Sequence, residues 1–251
     1  MCRHVAYLGE PVALGEILLT PPYALYRQSW APREQRHGTV NADGFGVGWY
    51  ADGDPVPARY RRAGPLWGDL SFADLARVVR SAALLGAVRD ATEPGADGEA
   101  AAAPFASGPW LFSHNGAVKG WPHSLAGLAA GLPPAELLSL ESRCDSALVW
   151  ALLLRRLTFG DPPGQALADT VAEVAAAAPG SRLNLLLTSG DTIAATAWGD
   201  SLYVRAVAGG GTVVASEPYD DDPRWHQVPD RTLLTVTRTE VRSTPLKEPV
   251  A

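Results

Sequence analysis

The sequence predicts an α+β fold built on two largely antiparallel sheets. Two observations carry that expectation. Short β-type runs occupy both ends of the chain while a helical block fills its middle, and the late runs are separated by tight-turn signals rather than by helices. A wound parallel sheet would alternate strand and helix throughout.

The early strands are expected at 4–8, 46–50, 82–89 and 110–113, with one helix at 72–79. Helical spacing of Leu, Ala and Val then marks 124–130, 134–138, 142–157 and 165–178. The late strands are expected at 183–188, 192–198, 202–205, 212–215 and 232–237, forming a meander. The turn signals include Asp52-Gly53, Asn115-Gly116, Gly190-Asp191 and Gly199-Asp200. The stretch 91–109 is rich in Ala, Gly and Pro without a period, and reads as a low-complexity, mobile loop rather than a linker.

With 251 residues the chain is long enough for a substantial core. Net charge is −6, and no run of Lys and Arg suggests nucleic acid as a partner. Arg59, Arg61 and Arg62 read as the solvated face of a strand. Only two cysteines occur, Cys2 and Cys144, with no CxxC, so neither a disulfide framework nor a zinc site is expected and a cytoplasmic location is. Charged residues and Pro11 interrupt the first twenty residues, which argues against a signal peptide. The apolar run 147–154 is too short for a membrane span. No pattern calls for a metal or cofactor; the composition is compatible with a homo-oligomer.

Five segments can carry chemistry. Cys2 becomes N-terminal once Met1 is removed, which puts a thiol beside an α-amine whose pKa of ~7.7–8.0 lets it accept the thiol proton near neutrality. In the sequence SHNG (113–116), Asn115-Gly116 is a strong hairpin signal, and equally a pair of N–H donors for an oxyanion. In VRDAT (88–92), Arg89 ends an apolar strand and either pairs with a carboxylate such as Asp90 or holds a substrate carboxylate, with Thr92 adding a hydroxyl. In SRCDSA (142–147), Ser142 and Asp145 have capping-box spacing, and Asp145 can also bind an ammonium group. The glycines of NADGFGVGW (41–49) do not have dinucleotide spacing and suit close backbone approach beside Cys2 instead.

In this order the five segments resemble the class II glutamine amidotransferases. That resemblance implies a four-layer αββα Ntn-hydrolase sandwich over residues 2–251, needing no cofactor. It implies Cys2 as nucleophile and Asn115 and Gly116 as oxyanion hole. Arg89 and Thr92 would bind the α-carboxylate of a γ-glutamyl group, and Asp145 its α-ammonium. The usual pattern of the family runs Arg-Trp-Ala-Thr-His-Gly; here Asp90 stands for Trp and Glu93-Pro94 for His-Gly.

The longer segments 1–11, 27–50 and 215–236 resemble a stand-alone branch, the ergothioneine-pathway γ-glutamyl hydrolases, which implies γ-glutamyl-hercynylcysteine sulfoxide as substrate. The leaving half of that substrate carries a trimethylammonium, for which the aromatic and acidic segment 219–225, Trp225 included, is a candidate pocket. No synthase domain follows, which favours a hydrolase. Two other readings use the same residues: a glutaminase or amidotransferase subunit releasing ammonia from glutamine, and a non-catalytic γ-glutamyl binder.

The enzyme readings require a free α-amine on Cys2. Intact-protein mass spectrometry is expected to show the chain short of one methionine; retained Met1 would remove the base and contradict them.

Overall fold

The computed structural model describes residues 2–91, 98–207 and 209–247. The chain opens with β1 (Arg3–Ala13), α1 (Leu14–Leu18) and α2 (Leu25–Gln28), then β2 (Phe45–Trp49), β3 (Ala58–Arg62), α3 (Leu70–Val78) and β4 (Arg80–Val88). β5 (Phe105–Ser107) and β6 (Trp110–Ala117) lead into α4 (Ala126–Ala130), α5 (Pro134–Leu138), α6 (Asp145–Thr158) and α7 (Pro163–Ala177). The remaining strands are β7 (Arg182–Thr188), β8 (Thr192–Ala197), β9 (Tyr203–Val207), β10 (Gly211–Ala215), β11 (His226–Gln227), β12 (Thr232–Thr237) and β13 (Val241–Pro245).

These make two antiparallel sheets, ordered β11-β9-β10-β1-β4-β2-β3 and β13-β12-β8-β7-β6-β5. Period-two alternation sorts their side chains into three apolar layers. On β1, Ala6 and Leu8 face Leu111, Leu186 and Ala195 of the second sheet. Val5 and Tyr7 face outward onto Leu14, Leu18 and Phe72 of α1 and α3. On β7, Leu185 and Leu187 face outward onto Val149 and Leu153 of α6 and Leu167 and Val171 of α7. The result is the helix–sheet–sheet–helix sandwich.

Three local expectations give way to tertiary structure. Asn115-Gly116 is not a turn: β6 runs through it to Ala117, with Asn115 opposite Asn184 and Gly116 opposite Leu183. Long-range pairing with β7 outweighs the local hairpin preference. The late strands are not one meander, because the chain changes sheets between β8 and β9 and again between β11 and β12. Asn184 holds the first crossover: its Oδ1 accepts from the Trp198 and Asp200 N–H groups, and its Nδ2 donates to the Asp200 and Ser201 carbonyls. Finally, α6 starts at Asp145 with Cys144 as N-cap and no side-chain cap, so Ser142 and Asp145 form no capping box. The Asp145 carboxylate is taken up by the backbone N–H groups of Val118 and Ser146 instead.

The Ala-rich stretch is anchored where it is described. Phe105–Ser107 pair with β6, and Ala101, Ala102 and Phe105 are buried. Arg59 and Arg61 are not simply a solvated face, since both pair with Glu141 (3.1 and 2.8 Å) and donate to the carbonyls of Pro104 (3.2 Å) and Ala102 (3.4 Å). This clamp presses residues 101–105 onto β2 at Gly46, where a Cβ would lie 2.4 Å from the Ala103 carbonyl oxygen. The Gly-rich segment is thus approached closely, by Ala103, which lines one cavity with Cys2, and not by Cys2 itself.

Within the apolar layer between the sheets sits one buried histidine, His4, whose Nδ1 lies 3.2 Å from Ser113 Oγ. Burial, reinforced by the positive charges of Arg3 and His114, pushes its pKa down to about 3 from 6.5. The unfolded chain therefore binds a proton below about pH 6.5 that the folded chain refuses, so His4 lowers stability progressively as pH falls from 6.5 toward 3. The cost at the acid end is on the order of 5 kcal/mol at most. His4→Gln is expected to flatten the acid limb of a plot of urea midpoint against pH from about pH 7 to pH 4; parallel curves for the two proteins would contradict the assignment.

Candidate active site

At one end of the sandwich, where β1 begins and β4 and β6 end, a cavity of about 40 Å³ opens. Cys2, Arg89, Phe105, His114, Gly116 and Asp145 are among its lining residues. Four of the six expected site residues thus meet there. Asn115 is fully buried and is not part of the cavity wall. Thr92 lies outside the described residues.

Cys2 precedes β1, two residues before His4. Desolvation pushes its thiol pKa up, opposed by the positive charge at the chain's N-terminus, a hydrogen bond from the Asp90 backbone and the charge of Arg89; Asp145 adds to the rise. Such a thiol stays protonated at neutral pH, so it becomes a nucleophile only when a nearby base removes its proton. Cys144 lines the same cavity, and burial raises its thiol pKa as well.

Arg89 follows β4 and is fixed by its own backbone, which exchanges hydrogen bonds with the loop before β2: its N–H donates to Gly44 O and its carbonyl accepts from Asp43 N–H. Its guanidinium donates to the Asp43 carbonyl oxygen (3.1 Å). A planar donor fork held this way at a cavity wall suits a carboxylate ligand. Asp145, the first residue of α6, supplies the opposite charge in the same cavity, and its hydrogen bonds from backbone N–H groups lock its orientation.

His114 carries no sequence signal for a role, yet it fills one side of the site. Its Nε2 lies 2.9 Å from the Arg182 carbonyl oxygen and its Nδ1 3.0 Å from Ser146 Oγ. Since a carbonyl only accepts, Nε2 carries the proton. Gly116 is required here: a Cβ would come within 2.0 Å of the Arg182 carbonyl oxygen and 2.7 Å of His114 Nε2. Behind the wall, Asn115 Nδ2 donates to Ser216 Oγ (3.3 Å). Ser146 and Ser216 also escape sequence reading, because nothing local distinguishes them from other serines.

The segment 219–225 does not offer an empty aromatic cage. The Arg205 guanidinium already sits over the Tyr219 and Trp225 rings, 4.7 and 4.8 Å from their centroids, and Asp220 accepts from both Arg205 and Trp225 Nε1. The chain's own cation occupies the place proposed for a substrate cation. Among the described residues no helix is long and apolar enough to cross a membrane.

Comparison with known proteins agrees with this architecture. The family model for class-II glutamine amidotransferases matches residues 24–208. The γ-glutamyl-hercynylcysteine sulfoxide hydrolase of Mycolicibacterium smegmatis is 46% identical over 246 residues, covering 98% of this chain and all of that one. Among solved structures, a class-II glutamine aminotransferase domain protein from Silicibacter pomeroyi superposes with a TM-score of 0.71 at 26% identity, covering 98% of this chain and 99% of the other. The glutamine phosphoribosylpyrophosphate amidotransferase of B. subtilis shares the fold, with a TM-score of 0.66 at 16% identity over 98% of this chain and 49% of that one. With the matched segment spanning both sheets and the relative matching end to end, this chain belongs to the class-II glutamine amidotransferases.

Proposed function

We propose that the protein hydrolyses the γ-glutamyl amide of γ-glutamyl-hercynylcysteine sulfoxide, releasing glutamate by way of a thioester at Cys2. The observation that carries this reading is the end-to-end similarity to hydrolases of that name. It is supported by the clustering of Cys2, Arg89, Gly116 and Asp145 around one cavity. In this reading residues 2–251 form one class II glutamine amidotransferase-type domain, in a reducing cytoplasm suited to two free cysteines.

Arg89, together with Thr92, receives the α-carboxylate of the glutamyl group and Asp145 its α-ammonium, which orients the γ-carbonyl toward Cys2. After loss of Met1, the α-amine of Cys2 takes the thiol proton as sulfur attacks the carbonyl carbon. The Gly116 N–H and the second N–H of the Asn115 amide are assigned to the oxyanion, Asn115 from a position buried behind the cavity wall. The new ammonium protonates the departing amine, the C–N bond breaks, and water activated by the same amine cleaves the thioester to free glutamate.

The test is glutamate release from the sulfoxide and from glutamine, with wild type and Cys2→Ala. Strong preference for the sulfoxide, reduced to background in the variant, is expected. Equal turnover of glutamine with ammonia release would move the protein to a glutaminase role, and full activity of Cys2→Ala would overturn the mechanism.

A further inference from the structure

The nucleophile and the oxyanion donors stand on different sheets: Cys2 leads into β1, whereas Asn115 and Gly116 lie on β6. Their relative position therefore depends on how the sheets are held against each other. The apolar side chains between them, mainly Ala, Leu, Ile and Val, pack without directional preference, and His4 Nδ1 against Ser113 Oγ (3.2 Å) is one polar contact across that layer.

One hydroxyl spans the two sheets beside the site. Ser216 follows β10 and continues its ladder with β1, its backbone N–H donating to the His4 carbonyl (3.0 Å). Ser216 Oγ accepts in turn from the His4 backbone N–H (3.0 Å) on the first sheet and from Asn115 Nδ2 (3.3 Å) on the second. All three residues are completely buried. An amide nitrogen has two protons, so the Ser216 contact uses one and fixes the plane and direction of the other. Among the described residues Asn115 Oδ1 has no hydrogen-bond partner, so the donor to Ser216 is the contact that orients this side chain.

From this geometry we infer that Ser216 is a positioning residue for the reaction: its hydroxyl aims the free N–H of Asn115 at the oxyanion and registers it against the strand that carries Cys2. The inference rests on the amidohydrolase reading above, but not on the identity of the leaving half.

The test is a double-mutant cycle on glutamate release, run with both the sulfoxide and glutamine, comparing Ser216→Ala, Asn115→Ala and the double variant. Ser216→Ala is expected to lower kcat by about 10- to 100-fold, less than outright loss of an oxyanion donor, with KM held within about threefold. In the Asn115→Ala background the same change is expected to cost less than about threefold, because the donor it aims is gone. Ser216→Cys, which fills the hydroxyl's space with a slightly larger thiol that accepts hydrogen bonds only weakly, provides the same cycle where Ser216→Ala does not fold. An equal loss in both backgrounds, or a kcat unchanged by Ser216→Ala, would overturn the inference while leaving the Cys2 mechanism standing. A wild type that releases no glutamate from either compound would overturn both.

Discussion

The site depends on a pair of polar contacts buried between two apolar sheet faces: Ser216 Oγ, shared by the His4 backbone and the Asn115 side chain, and His4 Nδ1 against Ser113 Oγ. Apolar burial supplies most of the attraction between the sheets but does not choose their register. Hydrogen bonds in a low-dielectric interior do, because an unmade one leaves a buried polar group exposed to the full cost of desolvation. The price appears as acid sensitivity, since His4 must stay neutral to remain there.

A second constraint shapes the cavity from above. The segment 101–105 can lie across β2 only because Gly46 has no side chain, and it is kept there by Arg59 and Arg61 through Glu141 and backbone carbonyls. Phe105, carried by that segment, is both a wall of the cavity and part of the core beneath α6. Packing and site are thus the same residues seen from two sides, and loosening the clamp is a change to the site as much as to the fold.

Much of the fold was legible because alternation and turn chemistry are local. Each strand expected from alternation is present, and the helical block appears as α4 to α7 with small shifts of boundary. What local signals could not reveal was pairing. Asn115-Gly116 has the composition of a hairpin turn, yet β7, seventy residues on, captures it as strand; the late strands look like neighbours, yet Asn184 turns the chain from one sheet to the other at residues 198–201.

The candidate site divides the same way. Cys2, Arg89, Gly116 and Asp145 stood out as unusual residue types in a recognisable order, and the structure brings them to one cavity. His114, Ser146 and Ser216 did not, because their meaning lies in partners up to 212 residues distant. The Tyr219–Trp225 segment misled for the opposite reason: its composition suits a cation, and Arg205, from β9, is the cation it holds.

The central claim is that the amide is cleaved through covalent attachment of the glutamyl group to Cys2. Acid quenching during turnover, followed by peptide mass spectrometry, measures this directly. The N-terminal peptide beginning at Cys2 should carry the added mass of one glutamyl residue, labile to hydroxylamine as a thioester is. Turnover without any adduct, or an adduct on Cys144 in its place, would contradict it.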